Sequence, residues 1–439
     1  MHSPKNFLLL ECESVRSVLQ ETLRYEYGIE GSRAFFEECE VRLDFIKQQL
    51  CGCLDDDHDA LANTAALLTE LSELIAHIER SSIGEYSWPF VEELKVIAEK
   101  ICTETTITNP HTPPKVHVIS GGGLDKYAID VEQKRPAAAQ RRILTIIFPR
   151  SFKHLVLLHP VLGHELGHAI WRGSEHEKRL QQIIYDNLLD GNPKFVDEAA
   201  TAAWLYSPDA PQGIKDTLNW YATNWGLNQS NFFQEYASLA AWIEELTCDL
   251  IGLTTFGPSF VAALWQLLSS LMPSGNNVGD EHPPTGCRIN LMLSAIRVLG
   301  YDKLKFENPD IQKEFDDFWS TLHSYKRNEP WYDLFSDAQI LKTVNELQVL
   351  LKAHPPACYE TPDAKTLAKL YCQVSTRVAP SGFEMSDEGK PICEIIDFRH
   401  ILFAGWIASR SIKEISFDDI NRLCEHAILQ QRAIKLHAE

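Results

Sequence analysis

Residues Gly163–Ala169 read Gly-His-Glu-Leu-Gly-His-Ala and lie inside an apolar, helix-patterned stretch, Ser151–Trp171. Of all features in the chain, this one narrows the fold most. Side chains four positions apart stack on one face of an α-helix, so His164 and His168 can reach a single ion. Glu165 falls on a neighbouring sector, where it can take a proton from a water polarised by that ion. Gly163, Gly167 and Ala169 keep the helix surface low, so a second helix can pack closely against it. Pro160 either starts this helix or kinks it. The competing reading is a core helix with two hydrogen-bonded histidines and no ion.

A zinc ion held by two such histidines needs a third protein ligand and leaves a fourth position for water. Trp242–Leu250 reads Trp-Ile-Glu-Glu-Leu-Thr-Cys-Asp-Leu inside a predicted helix, Gln234–Phe256, that Gly257-Pro258 should stop. Glu245 and Asp249 share one face, and the polar pair Glu244 and Cys248 lies about 100° round the helix. Glu245 is the candidate third ligand. Asp249, one turn on, is the candidate partner for the outer nitrogen of a metal-bound imidazole. Two carboxylates in an apolar helix are costly unless paired. Two alternatives stay open: Cys248 as the ligand, since thiolate also binds zinc, and Glu245 with Asp249 as an exposed acidic stripe.

The rest of the chain surrounds these segments with a recognisable texture. Ser32–Leu50 and Ala60–Ile78 carry apolar residues at the helical period. The acidic loop between them, Cys51–Asp59, lacks the Gly and Glu of an EF-hand and reads as a solvated loop with helix-capping residues. Asn109–Pro114 is a breaker cluster and a natural boundary. Lys115–Ile119, Tyr127–Val131 and Ile143–Phe148 read as short strands, and Gly121–Gly123 as a turn without the spacing of a phosphate cradle. Phe260–Met272 and Thr285–Leu299, the latter ended by Gly300, read as helices. Residues 306–439 are again mainly helical, with loops at His354–Pro362 and Ala379–Pro391. The expected fold is therefore mainly α with a small β-sheet (α+β). Its regions are a helical 1–105, a motif-bearing 106–305 and a helical 306–439.

Among the 439 residues, 61 Asp+Glu outnumber 41 Lys+Arg, for a formal net charge of −20. That balance argues against a general nucleic-acid binder and against docking on anionic lipid. No stretch approaches the roughly 18–20 apolar residues of a membrane helix, and the first residues show no export signal. The 11 cysteines are odd in number and scattered. Reduced thiols and a soluble, cytoplasmic protein are the expectation. Cys51-Gly-Cys53 is the one close pair, and it lacks the second pair of a metal knuckle.

His164-Glu165-x-x-His168 followed by Glu245-x-x-x-Asp249 resembles the gluzincin metallopeptidases. Glu281-His282-Pro283-Pro284-Thr285-Gly286-Cys287-Arg288-Ile289 is similar to the His-Pro segment of the prenyl-protease and heat-shock membrane gluzincins. The resemblance covers about residues 143–300. It implies a zincin-like metallopeptidase core flanked by helical regions, with Zn2+ held by His164, His168 and Glu245. It further implies Glu165 as general base, Asp249 as the group that orients a ligand, and His282 as an electrophile toward the developing oxyanion. Tyr221 and Tyr301 are alternatives for that last role. The strand Ile143–Phe148 could pair with an extended peptide by edge addition.

The chain departs from that family in three ways. Seventy-seven positions separate His168 from Glu245, which places an inserted subregion in residues 172–233. The membrane helices are missing, and the flanks match no family. A di-iron bundle would need a second Glu-x-x-His, a metzincin a His at position 174, and neither is present. The expected activity is limited, specific hydrolysis of a polypeptide, with the helical flanks as a place for a regulatory partner. The alternative is a zincin-like protein-binding or regulatory module without peptidase activity.

Overall fold

A computed structural model describes residues 4–22, 32–54, 57–79, 87–103, 113–121, 127–131, 142–149, 152–173, 176–271, 278–385 and 391–438. The expected turn residues Gly122 and Gly123, the breakers Asn109–Thr112 and the loop acids Asp55 and Asp56 lie outside them.

Four helices come first: α1 (Pro4–Thr22), α2 (Ser32–Gly52), α3 (His58–Glu79) and α4 (Trp88–Ile101). The apolar period of α2 buries Cys39, Leu43, Ile46 and Leu50 against Leu61, Leu68 and Leu71 of α3, with Leu8 and Leu19 of α1. Asp57 caps α3, its Oδ1 accepting the Ala60 N–H at 3.1 Å. This three-helix cluster has its own core. α4 instead sends Phe90, Leu94 and Ile97 into a larger core that extends to Ile428.

Three strands follow, β1 (Lys115–Gly121), β2 (Ala128–Val131) and β3 (Ile143–Pro149). Their order in the sheet is β1-β3-β2, with β1 parallel and β2 antiparallel to β3. The placement of β3 corrects one expectation. Ile143–Phe148 is the middle strand, paired on both sides, so it has no free edge to offer a peptide. Its nearly continuous burial reflects that position.

A 3-10 turn, Val156–Val161, absorbs Pro160, and α5 (Leu162–Gly173) starts directly after it. The stretch expected as an insertion contains α6 (Glu177–Ile183), a π-helical turn (Ile184–Leu188), α7 (Glu198–Leu205) and α8 (Gln212–Trp225). The predicted helix Gln234–Phe256 is divided into α9 (Phe232–Glu235) and α10 (Leu239–Phe256). Ser238 causes the break, its side chain accepting the Ala241 N–H as the cap of α10. Then come α11 (Pro258–Leu271) and α12 (Thr285–Leu299). Gly257 at φ +61° and Gly300 at φ +73° end α10 and α12 in backbone conformations that other residues adopt only with strain.

The last region supplies α13 (Pro309–His323), α14 (Asp337–Lys352), α15 (Ala364–Ser375), α16 (Phe398–Ser411) and α17 (Phe417–Ala438). The expected loop Ala379–Pro391 also holds an antiparallel strand pair, Phe383–Met385 with Pro391–Cys393. These C-terminal helices back the segments around α5 and α10. The Trp406 indole donates to the Leu157 carbonyl at 2.9 Å, and the Asn421 side chain accepts the Leu157 N–H at 2.8 Å. Arg399 donates to the Thr255 carbonyl at 2.7 Å. The fold is thus mainly helical with a small sheet. No helix among the described residues is long and apolar enough to cross a membrane.

Candidate metal centre

α5 and α10 run antiparallel in close contact along a seam of glycines. A Cβ built on Gly163 would come within 2.9 Å of the Gly252 Cα, and one on Gly167 within 2.7 Å of the Cys248 Cα. No side chain larger than hydrogen fits at these two positions, so the two backbones pack directly against each other there. That approach sets the two histidines of α5 against the acids of α10.

The His164 Nδ1 faces the Asp249 Oδ1 at 2.9 Å, and the His168 Nδ1 faces the Glu244 Oε1 at 2.6 Å. A carboxylate can only accept, so each Nδ1 carries a proton, and each ring, once it has lost the proton on Nε2, turns a lone pair inward there. The two Nε2 atoms stand 3.2 Å apart. Glu245 closes the triangle, with Oε2 3.2 Å from the His164 Nε2 and Oε1 3.1 Å from the His168 Nε2. Its Oε2 is buried and makes no hydrogen bond, although Arg288 Nη1 and His282 Nε2 both stand 3.3 Å away.

With Nε2 deprotonated on both rings, these three lone-pair donors repel unless a cation lies between them; without an ion, a proton on His164 takes that place. Tetrahedral zinc, with bonds of about 2.0–2.1 Å, spaces its ligand atoms about 3.3–3.4 Å apart, so the observed edges fit. The charges agree. Four carboxylates, Glu165, Glu244, Glu245 and Asp249, meet two guanidiniums, Arg172 and Arg288, leaving two negative charges for a dication to balance.

The titration of these groups follows the same geometry. Burial disfavours a charged His164, but Glu245 and Asp249 overrule it and hold its pKa up at about 10. Burial likewise opposes charge on His168, and Glu244 and Glu245 raise its pKa nonetheless. Glu245 and Asp249 lie below the usual carboxylate range because His164 and Arg288 outweigh their burial. Glu165 moves the other way: burial raises its pKa, only partly offset by the histidines. It makes no hydrogen bond or salt bridge with the described residues and lines a cavity of about 770 Å³ beside His164. A carboxylate so placed is a stronger base than one in water.

His282 sits at the mouth of this cavity, with its side chain about half exposed. Burial keeps its imidazole neutral, against the pull of Glu245. It stands outside the group of three whose donor atoms all lie within 4.8 Å of one another, which is His164, His168 and Glu245. Cys248 joins a second such group with His168 and Glu244. There its thiol is buried and held strongly protonated by desolvation and the nearby acids, and Glu244 is already bound by Arg172 at 2.6 Å. Tyr221 lines the cavity, but its hydroxyl proton goes to the Val278 carbonyl at 2.6 Å. With Trp242 on the Gly279 carbonyl and the Ser238 N–H on the Asp280 carbonyl, it holds the segment that carries His282. Tyr301 does not line the cavity; it is buried against Tyr359.

Two residues central to this geometry had no role in the sequence reading. Arg288 of α12 is buried and grips Asp249 through Nε at 2.7 Å and Nη2 at 2.8 Å. Its signal was an arginine inside an apolar helix, a charge that must find a partner. Glu244, of the polar pair about 100° round the helix from Glu245, reaches His168 across the two helices. Comparison of the chain with protein-family models, with curated proteins and with solved structures finds no match.

Proposed function

We propose that this protein is a zinc-dependent hydrolase of peptide bonds. The observation that carries the reading is the inward convergence of His164 Nε2, His168 Nε2 and the Glu245 carboxylate at 3.1–3.2 Å, with the unpaired Glu165 carboxylate beside them in an open cavity. His164, His168 and Glu245 would hold a zinc ion, which would supply a Lewis acid to polarise the scissile carbonyl and the attacking water. Asp249 and Glu244 fix the two imidazoles in the tautomer that presents Nε2. Arg288 keeps Asp249 ionised and immobile. Glu165 takes the proton of the attacking water on its carboxylate and delivers it to the leaving amine nitrogen. His282, neutral and at the cavity mouth, is placed to donate a hydrogen bond to the oxyanion that develops on the carbonyl.

The test separates holding an ion from using it. The purified chain should bind one equivalent of zinc and cut some members of a peptide library. Glu165→Gln should keep the zinc and lower turnover by about 10²–10⁴-fold. Zinc bound without cleavage of any peptide or protein would favour the binding-module alternative, and absence of stoichiometric zinc would sink both.

A further inference from the structure

The cavity extends well beyond the metal-binding group, and its outer walls have a definite chemistry. One wall is α11, contributing Leu264, Leu267 and Leu268; the other is α8, contributing Thr217, Trp220 and Tyr221. Trp220 is 52 % exposed, a large apolar surface left uncovered at the edge of a cleft. It is nevertheless braced. Its ring meets Trp225 edge-on at 5.0 Å, and Trp225 stacks on Tyr221 at 5.0 Å and 13°. A braced aromatic facing leucines loses little conformational freedom when it is covered, the usual property of a binding anchor. The volume of about 770 Å³ falls within the roughly 300–1,000 Å³ of ordinary ligand pockets.

Charge restricts the occupant further. Asp216 and Asp280 line the same cavity, and Glu281 adjoins it. The one arginine or lysine in the lining is Arg288, which is buried and already bound to Asp249 and Glu245. Among the described residues, a free carboxylate in the outer part of this cleft would meet acids and no unpaired arginine or lysine.

We infer that the α8–α11 walls form a side-chain pocket that selects a large apolar or aromatic residue of a polypeptide, flanked by basic rather than acidic residues, next to the bond presented to Glu165. This rests on the peptidase reading for the bond that is cut. The pocket itself is testable by binding alone.

The experiment uses the full-length, zinc-loaded Glu165→Gln chain and ten-residue peptides, titrated by calorimetry. The peptides differ at one position (Phe, Leu, Ala or Glu) and in flanks of Lys or Glu. Phe and Leu peptides should bind about 10- to 100-fold more tightly than Ala peptides, the gain expected from burying one large apolar side chain. Trp220→Ala and Leu267→Ala should erase most of that margin, lowering the affinity for Phe and Leu peptides far more than that for the Ala peptide. Both positions are only partly buried, so neither change threatens the fold. Asp216→Lys should reverse the preference for Lys flanks. Equal affinities for Phe and Ala peptides, a margin that survives Trp220→Ala, or no binding by any peptide would overturn the inference. Selective binding by a wild-type chain that cleaves nothing would leave this pocket standing and the hydrolase reading fallen. Cleavage without apolar preference would do the reverse.

Discussion

The two histidines of one motif are held in unlike ways. His164 leans on Asp249, which is fully buried and gripped by two N–H groups of Arg288, itself buried. His168 leans on Glu244, whose partner Arg172 is about half exposed. The inner half of the site is a buried ionic network, in which no member can be removed without stranding another charge in a medium that solvates it poorly. In the outer half Glu244 is buried as well, but its cation, Arg172, is about half exposed, so water can screen that ion pair and take the cation's place. The same chemistry is thus fixed at one end and adjustable at the other.

The sharpest way to break this comparison is Arg288→Met. It leaves Asp249 ionised in the core without its guanidinium and with only the His164 N–H as partner, so unfolding by denaturant should show a loss of about 3–5 kcal/mol. A loss below about 1 kcal/mol would mean that water reaches Asp249 and that the inner half is not dry.

Next in size is the pair Asp249→Asn and Glu244→Gln, compared by zinc competition with a chromophoric chelator. Each removes the carboxylate behind one imidazole, a change that typically costs about 10–100-fold in metal affinity. Asp249→Asn should fall at the upper end of that range, Glu244→Gln at or below its lower end. Equal losses would erase the distinction between the two halves.

A third measurement follows pH. With no metal bound, His164 has a folded pKa of about 10 against an ordinary 6.5. Its protonated form therefore stabilises the metal-free fold fully below about pH 6.5, and that contribution fades as pH rises through about 10. Chelator-treated protein should lose stability over that window. Zinc affinity should rise over the same window, because the ion displaces the proton. A metal-free protein whose stability is flat between pH 7 and 10 would contradict the enclosure of His164 by Glu245 and Asp249.

The smallest effect belongs to Arg172→Ala, within about 1 kcal/mol of wild-type stability and diminishing further in high salt.

What could be read in the sequence, and what could not, follows the range of the forces involved. His164, Glu165 and His168 are legible as a set because helical spacing alone puts two rings on one face. Glu245 and Asp249 are legible for the same reason, and the glycines of α5 announced a close helix neighbour. The alternation and apolar runs of the three strands were equally local signals. Strand order was not, because which strand lies in the middle is decided by tertiary pairing; the apolar run of β3, broken by Thr145, was a hint of its central position. Arg288 and Glu244 escaped because their roles exist only once α12 and α5 have packed against α10. Glu244 is about 100° away from Glu245 on its own helix. It reaches His168 only because the glycine seam brings the helices so close. Ser238 was hidden by the apolar, helix-like residues on both sides of it, and only its capping bond marks the break.

The glycine seam has a consequence for selectivity. The distance between α5 and α10 sets the size of the opening between the His164, His168 and Glu245 donors. A methyl group at Gly167 would press on the Cys248 backbone and push α10 away. The donor atoms would then separate toward the longer bonds of a larger, oxygen-preferring cation such as calcium, about 2.3–2.6 Å, for which two imidazoles are poor ligands. Under the proposed zinc reading, two hydrogen atoms where side chains would otherwise stand would act as a gauge of ionic radius, set by Gly163 and Gly167 without touching the ion.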